Sequence, residues 1–170
     1  GDSTNSHFQI GYSGKPLSAY LIVHRMTENE ISTSIIDCAM RVHTELGPGL
    51  LENAYEACLY YELMQAGLLV RKQSPMPVVY HDVKLEARYR IDLFVENKVA
   101  VEIKAVEAFH DLHFAQLLTY LKLSKCKLGL LINFNVKSLK LENLTIASPD
   151  MGGSKRAYAY SKYLESDVVI

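Results

Sequence analysis

The chain has 170 residues, 49% of them hydrophobic and 22% charged, and 18 Lys and Arg against 19 Asp and Glu leave a net charge of −1. These proportions describe an ordinary globular chain with enough apolar residues for one core. They exclude a polyanion binder that works by bulk positive charge, so any nucleic-acid contact must rest on local clusters.

Residues 1 to 25 are polar and hold one short apolar run, Leu17 to Val23. That run is too short to span a bilayer and lacks a basic leader and a small-residue cleavage site, so neither a secretion signal nor a membrane partner is expected. Met26 directly precedes the first helix signal. Residues 1–26 are therefore read as a tag, a leader or misread upstream sequence, poorly ordered and outside the core. Thr27-Glu28-Asn29-Glu30 is a capping box. It opens a helix whose apolar stripe runs Ile31, Ile35, Cys38 or Ala39, Val42 and Leu46. Gly47-Pro48-Gly49 ends that helix. A second helix is predicted from Leu51 to Ala66 with Gly67 as its cap, and its inward ridge is Glu52, Tyr55, Leu59 and Leu63. A carboxylate facing a core needs a partner, which makes Glu52 a candidate site residue.

After the break Ser74-Pro75-Met76-Pro77, a strand is expected at Val78 to His81, with His81-Asp82 in the following turn. Two further strands, Arg88 to Val95 and Val99 to Ala105, form a hairpin. Alternation puts Ala87, Tyr89, Ile91, Leu93 and Val95 on one face and Arg88, Arg90, Asp92 and Phe94 on the other; Glu102 and Lys104 oppose Val99, Val101, Ile103 and Ala105. A three-residue turn, Glu96 to Lys98, pairs Val95 with Val99 and sets Asp92 beside Glu102, whereas a two-residue turn would flip the register. Two adjacent carboxylates on a half-buried sheet call for a cation, and Lys104 neutralises them only in part.

A third helix is predicted over Asp111 to Leu123, with Gln116, Tyr120 and His113 as a polar stripe, and a doubly covered strand over Lys127 to Asn133. Basic candidates for nucleic-acid contact are Lys84, Arg88 and Arg90, and Lys122, Lys125 and Lys127; a merely solvated face explains them equally well. Cys38, Cys58 and Cys126 are odd in number and isolated on apolar stripes, which fits reduced core thiols in a cytoplasm and no zinc spacing.

Asp92 followed by Glu102-Ile103-Lys104 resembles the PD-(D/E)XK nuclease superfamily, with Ile91 where the name of the superfamily has Pro. Gly49-Leu50-Leu51-Glu52-Asn53-Ala54-Tyr55 resembles the signature of its GxxExxY family, and the likeness runs from Glu30 to Lys137 through Gln116-Leu117-Leu118-Thr119-Tyr120-Leu121. The resemblance implies an α/β, restriction-endonuclease-like αβββαβ core, a central mixed sheet flanked by helices, over residues 27–137 with an extra N-terminal helix. It also implies metal-dependent hydrolysis of DNA, rather than RNA, in repair or processing. Asp92, Glu102 and the Ile103 carbonyl would hold Mg²⁺ or Mn²⁺, with Glu52 as a further ligand or an acceptor behind it. Lys104 would position the attacking water or stabilise charge on the phosphorane; Gln116, Tyr120, Tyr55 and Arg90 would line the site.

Each of these residues has a plain structural reading as well. Asp92, Glu102 and Lys104 are also ordinary hairpin charges, and Glu52 also suits the positive end of its helix. Tyr55 is read chiefly as packing with a satisfied hydroxyl, and Gln116 and Tyr120 either line the site or tie helix to sheet. His43 is read as helix-end packing, and His110 and His113 as non-ligands, because a hard-cation oxygen site does not favour imidazole. The alternative function is a catalytically inactive module of the same fold that binds nucleic acid or protein. Oligomeric state is left open.

The stretch from Leu139 to Ile170 resembles an internal segment of phosphoribosyl pyrophosphate synthetase, including Ser148-Pro149-Asp150-Met151-Gly152-Gly153-Ser154-Lys155-Arg156-Ala157. In such enzymes the matching Asp lies at the ribose-phosphate side of the active site, which maps onto Asp150. The segment stops before the phosphoribosyl-binding loop, so residues 138–170 are expected to be a fused or misassembled fragment without synthetase activity, pairing an edge strand or disordered.

Overall fold

The computed structural model describes residues 25–140 and 144–147. Residues 1–24, including the Leu17 to Val23 run, and the Ser148 to Ala157 motif with Asp150 lie outside the described residues.

Thr27 starts the first helix, α1 (Glu28–Leu46), with both halves of the expected capping box. The Glu30 amide donates to Thr27 Oγ1 at 3.3 Å and the Thr27 amide to Glu30 Oε2 at 2.7 Å. Ile31, Ile35, Cys38, Ala39 and Val42 form its buried stripe. His43 closes it: the ring is buried and Nε2 lies 2.8 Å from the Val136 carbonyl. The second helix, α2 (Glu52–Gln65), buries Tyr55, Leu59 and Leu63 at helical spacing. The chain leaves it at Gly67, φ +79, a left-handed turn that suits glycine.

Three strands follow: β1 (Val70–Tyr80), β2 (Val83–Val95) and β3 (Val99–Lys104). The first is longer than expected, because the Ser74 to Pro77 stretch lies inside it rather than before it. β1 is an edge strand, where a missing amide donor is tolerated, and the register slips between Met76 and Val78 around Pro77. His81 and Asp82, at φ +46 and +64, make the tight turn into β2. Between β2 and β3 the three-residue turn holds as expected, pairing Val95 with Val99 and Leu93 with Val101.

The third helix, α3 (Asp111–Ser124), crosses from β3 to β4 (Leu128–Asn133), which runs parallel to β3. Past Lys137 the chain contributes Leu139 and Leu144 to the core, and β5 (Leu144–Ala147) pairs antiparallel with β4. The sheet thus has the order β1-β2-β3-β4-β5 and is mixed. Both central strands are almost wholly buried, as apolar runs should be when both faces are covered.

α1 and α2 pack on one face against Leu93, Val95, Val99, Val101, Ile103, Leu130 and Ile132. On the other face Tyr120 and Leu121 of α3 meet Ile91, Phe94 and Ala100. Ile91 therefore departs from strict alternation, since it sits with Phe94 and not with Leu93. Gly129 lets α3 approach β4: a Cβ there would meet the methyl ends of Leu117 and Leu121 at 2.9 Å.

Tyr55 ties α2 to the Gly47–Gly49 turn. Its ring stacks on Phe134 at 4.5 Å, while its hydroxyl donates to the Gly47 carbonyl at 2.6 Å and accepts from the Leu50 amide at 3.2 Å. Tyr55→Phe strips both partners at a fully buried position, and urea unfolding is expected to show a loss of about 1–3 kcal/mol.

Candidate active site

β2 and β3 pair only over Leu93–Val95 and Val99–Val101, so they part beyond Leu93 and leave the outer edge of β3 open. Side chains take over the vacated hydrogen bonds. The Ile103 amide donates to Asp92 Oδ2 at 2.9 Å, and the Ala105 amide to Glu52 Oε1 at 3.2 Å. In return the Asp92 amide reaches Glu102 Oε1 at 3.4 Å. Asp92 and Glu102 thus meet in one wedge where β2 and β3 part.

Among the described residues Lys104 offsets their charge, with Nζ 3.8 Å from Glu102 Oε2. The electrostatic consequence is large. Burial, and then the Asp92 carboxylate, push Glu102 up to about 8, against the pull of Lys104. Burial also raises Asp92, countered by the Ile103 amide and Lys104. Two adjacent acids in a largely buried wedge favour a proton or a cation between them.

The other predicted site residues divide into two groups. Tyr120 is buried above the wedge, its hydroxyl accepting from Gln116 Nε2 at 2.9 Å; burial and the field of Glu102 raise its pKa. Glu52 is exposed rather than turned into the core, because it occupies the first turn of α2 at the end of β3. It reaches the site through the Ala105 amide. Tyr55 is engaged with the Gly47 turn, and Arg90 is exposed across from Pro75, so neither joins the wedge through those contacts. Among the described residues, no three His, Cys, Asp or Glu side chains form a ready metal cage.

His113 stands near Lys104 and Glu52. Its Nδ1 accepts from the His110 amide at 3.2 Å, and burial followed by the Lys104 charge lowers its pKa. Lys84 and Arg90 are exposed on β2; Lys122, Lys125 and Lys127 are exposed at the far end of α3 and just beyond it. The side chain of Arg88 lies outside the described residues.

Three contributors escape sequence reasoning. Gln73 Nε2 donates to Glu56 Oε2 at 2.6 Å and to Asp92 Oδ1 at 3.2 Å. Glu56 follows Glu52 by one helical turn, a spacing visible in the sequence, and is raised chiefly by burial. Asn133 is buried and clamps the exit of β3: it donates to the Val106 carbonyl at 2.7 Å and accepts the Val106 amide at 3.1 Å. Nothing in the local pattern marks Asn133 as more than the end of a strand.

A helix-flanked mixed sheet bearing two carboxylates and a lysine on a parting hairpin defines a nuclease-like class of site. Residues 29–145 match the family model of the PD-(D/E)XK nuclease superfamily, well over half of the chain, and the chain belongs to that superfamily. Its restriction-endonuclease-like fold is the five-stranded sheet described above. Nucleases of this superfamily generally use divalent metal ions. The chain is also similar, at 53% identity over 34 residues, to ribose-phosphate pyrophosphokinase of Porphyromonas gingivalis (strain ATCC BAA-308 / W83). That stretch is 20% of this chain and 11% of that protein, so the chain spans about a tenth of the length of this curated relative. No solved structure matches. No helix among the described residues is long and apolar enough to cross a membrane.

The donor set fits a hard divalent cation. Each carboxylate keeps lone pairs beyond its hydrogen bonds, and Mg²⁺-type ions are held by one or two carboxylates together with water and phosphate oxygens. Without such an ion, stability should depend on pH in an unusual direction. Glu102 holds its proton more tightly when folded, so its contribution is full below the ordinary value of 4.5 and is lost as pH rises toward about 8. Melting temperature in chelator should fall across that window, and Glu102→Gln should flatten the profile.

Proposed function

We propose that this chain is a divalent-metal-dependent phosphodiesterase acting on nucleic acid, with DNA as the preferred substrate and repair or processing as its setting. The observation that carries the reading is the convergence of Asp92, Glu102 and Lys104 where β2 parts from β3. Asp92, Glu102 and the Ile103 carbonyl would hold Mg²⁺ or Mn²⁺, which when bound supplies Lewis acidity and shields the phosphate. Glu52, anchored on the Ala105 amide, supports this group from α2 as a further ligand or as an acceptor behind it.

Lys104 presents its ammonium to the phosphate and stabilises the negative charge that grows as the attacking oxygen bonds to phosphorus. Gln116 and Tyr120 hold each other above the wedge and orient the lysine and the nucleic-acid backbone. Arg90 is exposed and suits a phosphate contact. Tyr55 acts through packing. The spacing Gly49, Glu52 and Tyr55 supports a place in the GxxExxY group, and a cytoplasmic setting agrees with its free cysteines.

The domain reading is a nuclease-like unit over residues 27–137, with residues 1–26 as a leader, a tag or misread upstream sequence and residues 138–170 as a synthetase-like tail. The synthetase-like stretch supplies no synthetase chemistry of its own. A second reading is a non-catalytic module of the same fold that binds nucleic acid or protein.

Cleavage of labelled DNA in Mg²⁺ or Mn²⁺ separates the two readings. Asp92→Ala and Lys104→Ala should each lower turnover by more than about a hundredfold while circular dichroism stays unchanged. Turnover equal to wild type in either variant would remove the assignment; DNA binding without cleavage by the wild-type chain would favour the second reading.

A further inference from the structure

Gln73 has a left-handed backbone, φ +48, in the middle of a strand, where a non-glycine residue rarely adopts it. An inserted residue is the usual cause, but here the register is the same on both sides: Lys72 faces Leu93 and Ser74 faces Ile91. The twist therefore serves to re-aim one side chain. Its amide nitrogen is shared between Glu56 of α2 at 2.6 Å and Asp92 of β2 at 3.2 Å. An amide nitrogen has two hydrogens and suits two acceptors, whereas its oxygen would set lone pairs against both carboxylates. The amide adds no net charge, so it orients Asp92 without competing with a cation for its negative charge, which a lysine in the same place would do. Asp92 Oδ1 is held by Gln73 and Oδ2 by the Ile103 amide, so the carboxylate is pinned at both oxygens.

We propose that Gln73 is a positioning residue: with Glu56 behind it, it fixes the Asp92 carboxylate in the orientation that receives a divalent cation. This rests on the metal-dependent reading above. Strain retained next to a site of this kind is spent on geometry, and residues that orient a metal ligand typically change affinity by about 10–100-fold when lost.

Calorimetric titration of Mn²⁺ into the full chain tests it, with Gln73→Gly, Gln73→Leu and Asp92→Asn alongside wild type. Asp92→Asn should abolish the heat, and both Gln73 variants should weaken Mn²⁺ binding by roughly tenfold or more. Gln73→Gly should melt at or above the wild-type temperature, because glycine adopts a positive φ freely. Weakened affinity in a chain that is no less stable separates positioning from support of the fold. Wild-type affinity in Gln73→Gly, with binding lost in Asp92→Asn, would overturn the role of Gln73 and leave the metal reading intact. No heat with wild type, or full heat with Asp92→Asn, would overturn the metal reading and this role with it.

Discussion

Everything at this site depends on the parting of β2 from β3. A buried amide left without an acceptor costs on the order of 1–3 kcal/mol, and the parting exposes the Ile103 and Ala105 amides along the outer edge of β3. Asp92 and Glu52 accept from them. The acids thereby complete the sheet where its ladder fails, and the same two contacts fix them in space. A carboxylate that finishes a backbone ladder has little rotamer freedom left. This is how Glu102, buried in the interior, comes to have two further carboxylates close to it.

The helices set the remaining geometry, chiefly through apolar contacts. Tyr55, Leu59 and Leu63 bury one ridge of α2, and Tyr55 braces its start against the Gly47 turn and Phe134. That packing carries Glu52 to the end of β3 and Glu56 to Gln73, one turn apart. On the opposite face Gly129 allows α3 to close on β4, which lowers Tyr120 toward Glu102. Asn133 clamps Val106, so the chain leaves β3 in one direction beside Lys104. The energetic cost falls on Glu102, whose burial next to Asp92 leaves it only partly compensated by Lys104. An excess of negative charge held this firmly is what a cation-binding wedge requires.

The edges of the sheet are less regular than its centre. β1 contains two prolines, a register slip and a left-handed glutamine, all tolerated because one side of it has no partner strand among the described residues. β5 adds the opposite edge from a stretch whose sequence resembles a different protein, with Leu144 filling a place in the core. Edge positions accept such additions because pairing needs only backbone groups and one apolar face.

Local chemistry by itself determined much of this protein. The capping box, the Gly67 stop, the apolar runs of the central strands and the turn at His81-Asp82 all act within a few residues, and each is found where the spacing put it. The same holds for the pairing of Val95 with Val99, because a three-residue turn leaves one register that buries the apolar face. Only the tertiary structure decided the rest. Ile91 joins Phe94 and the α3 face instead of following Leu93, and Glu52 stays exposed because the amide it serves lies at the end of a strand some fifty residues away in sequence. The contributions of Gln73 and Asn133 come from hydrogen bonds between distant segments, and no periodicity within either segment records which partner the fold will bring to it.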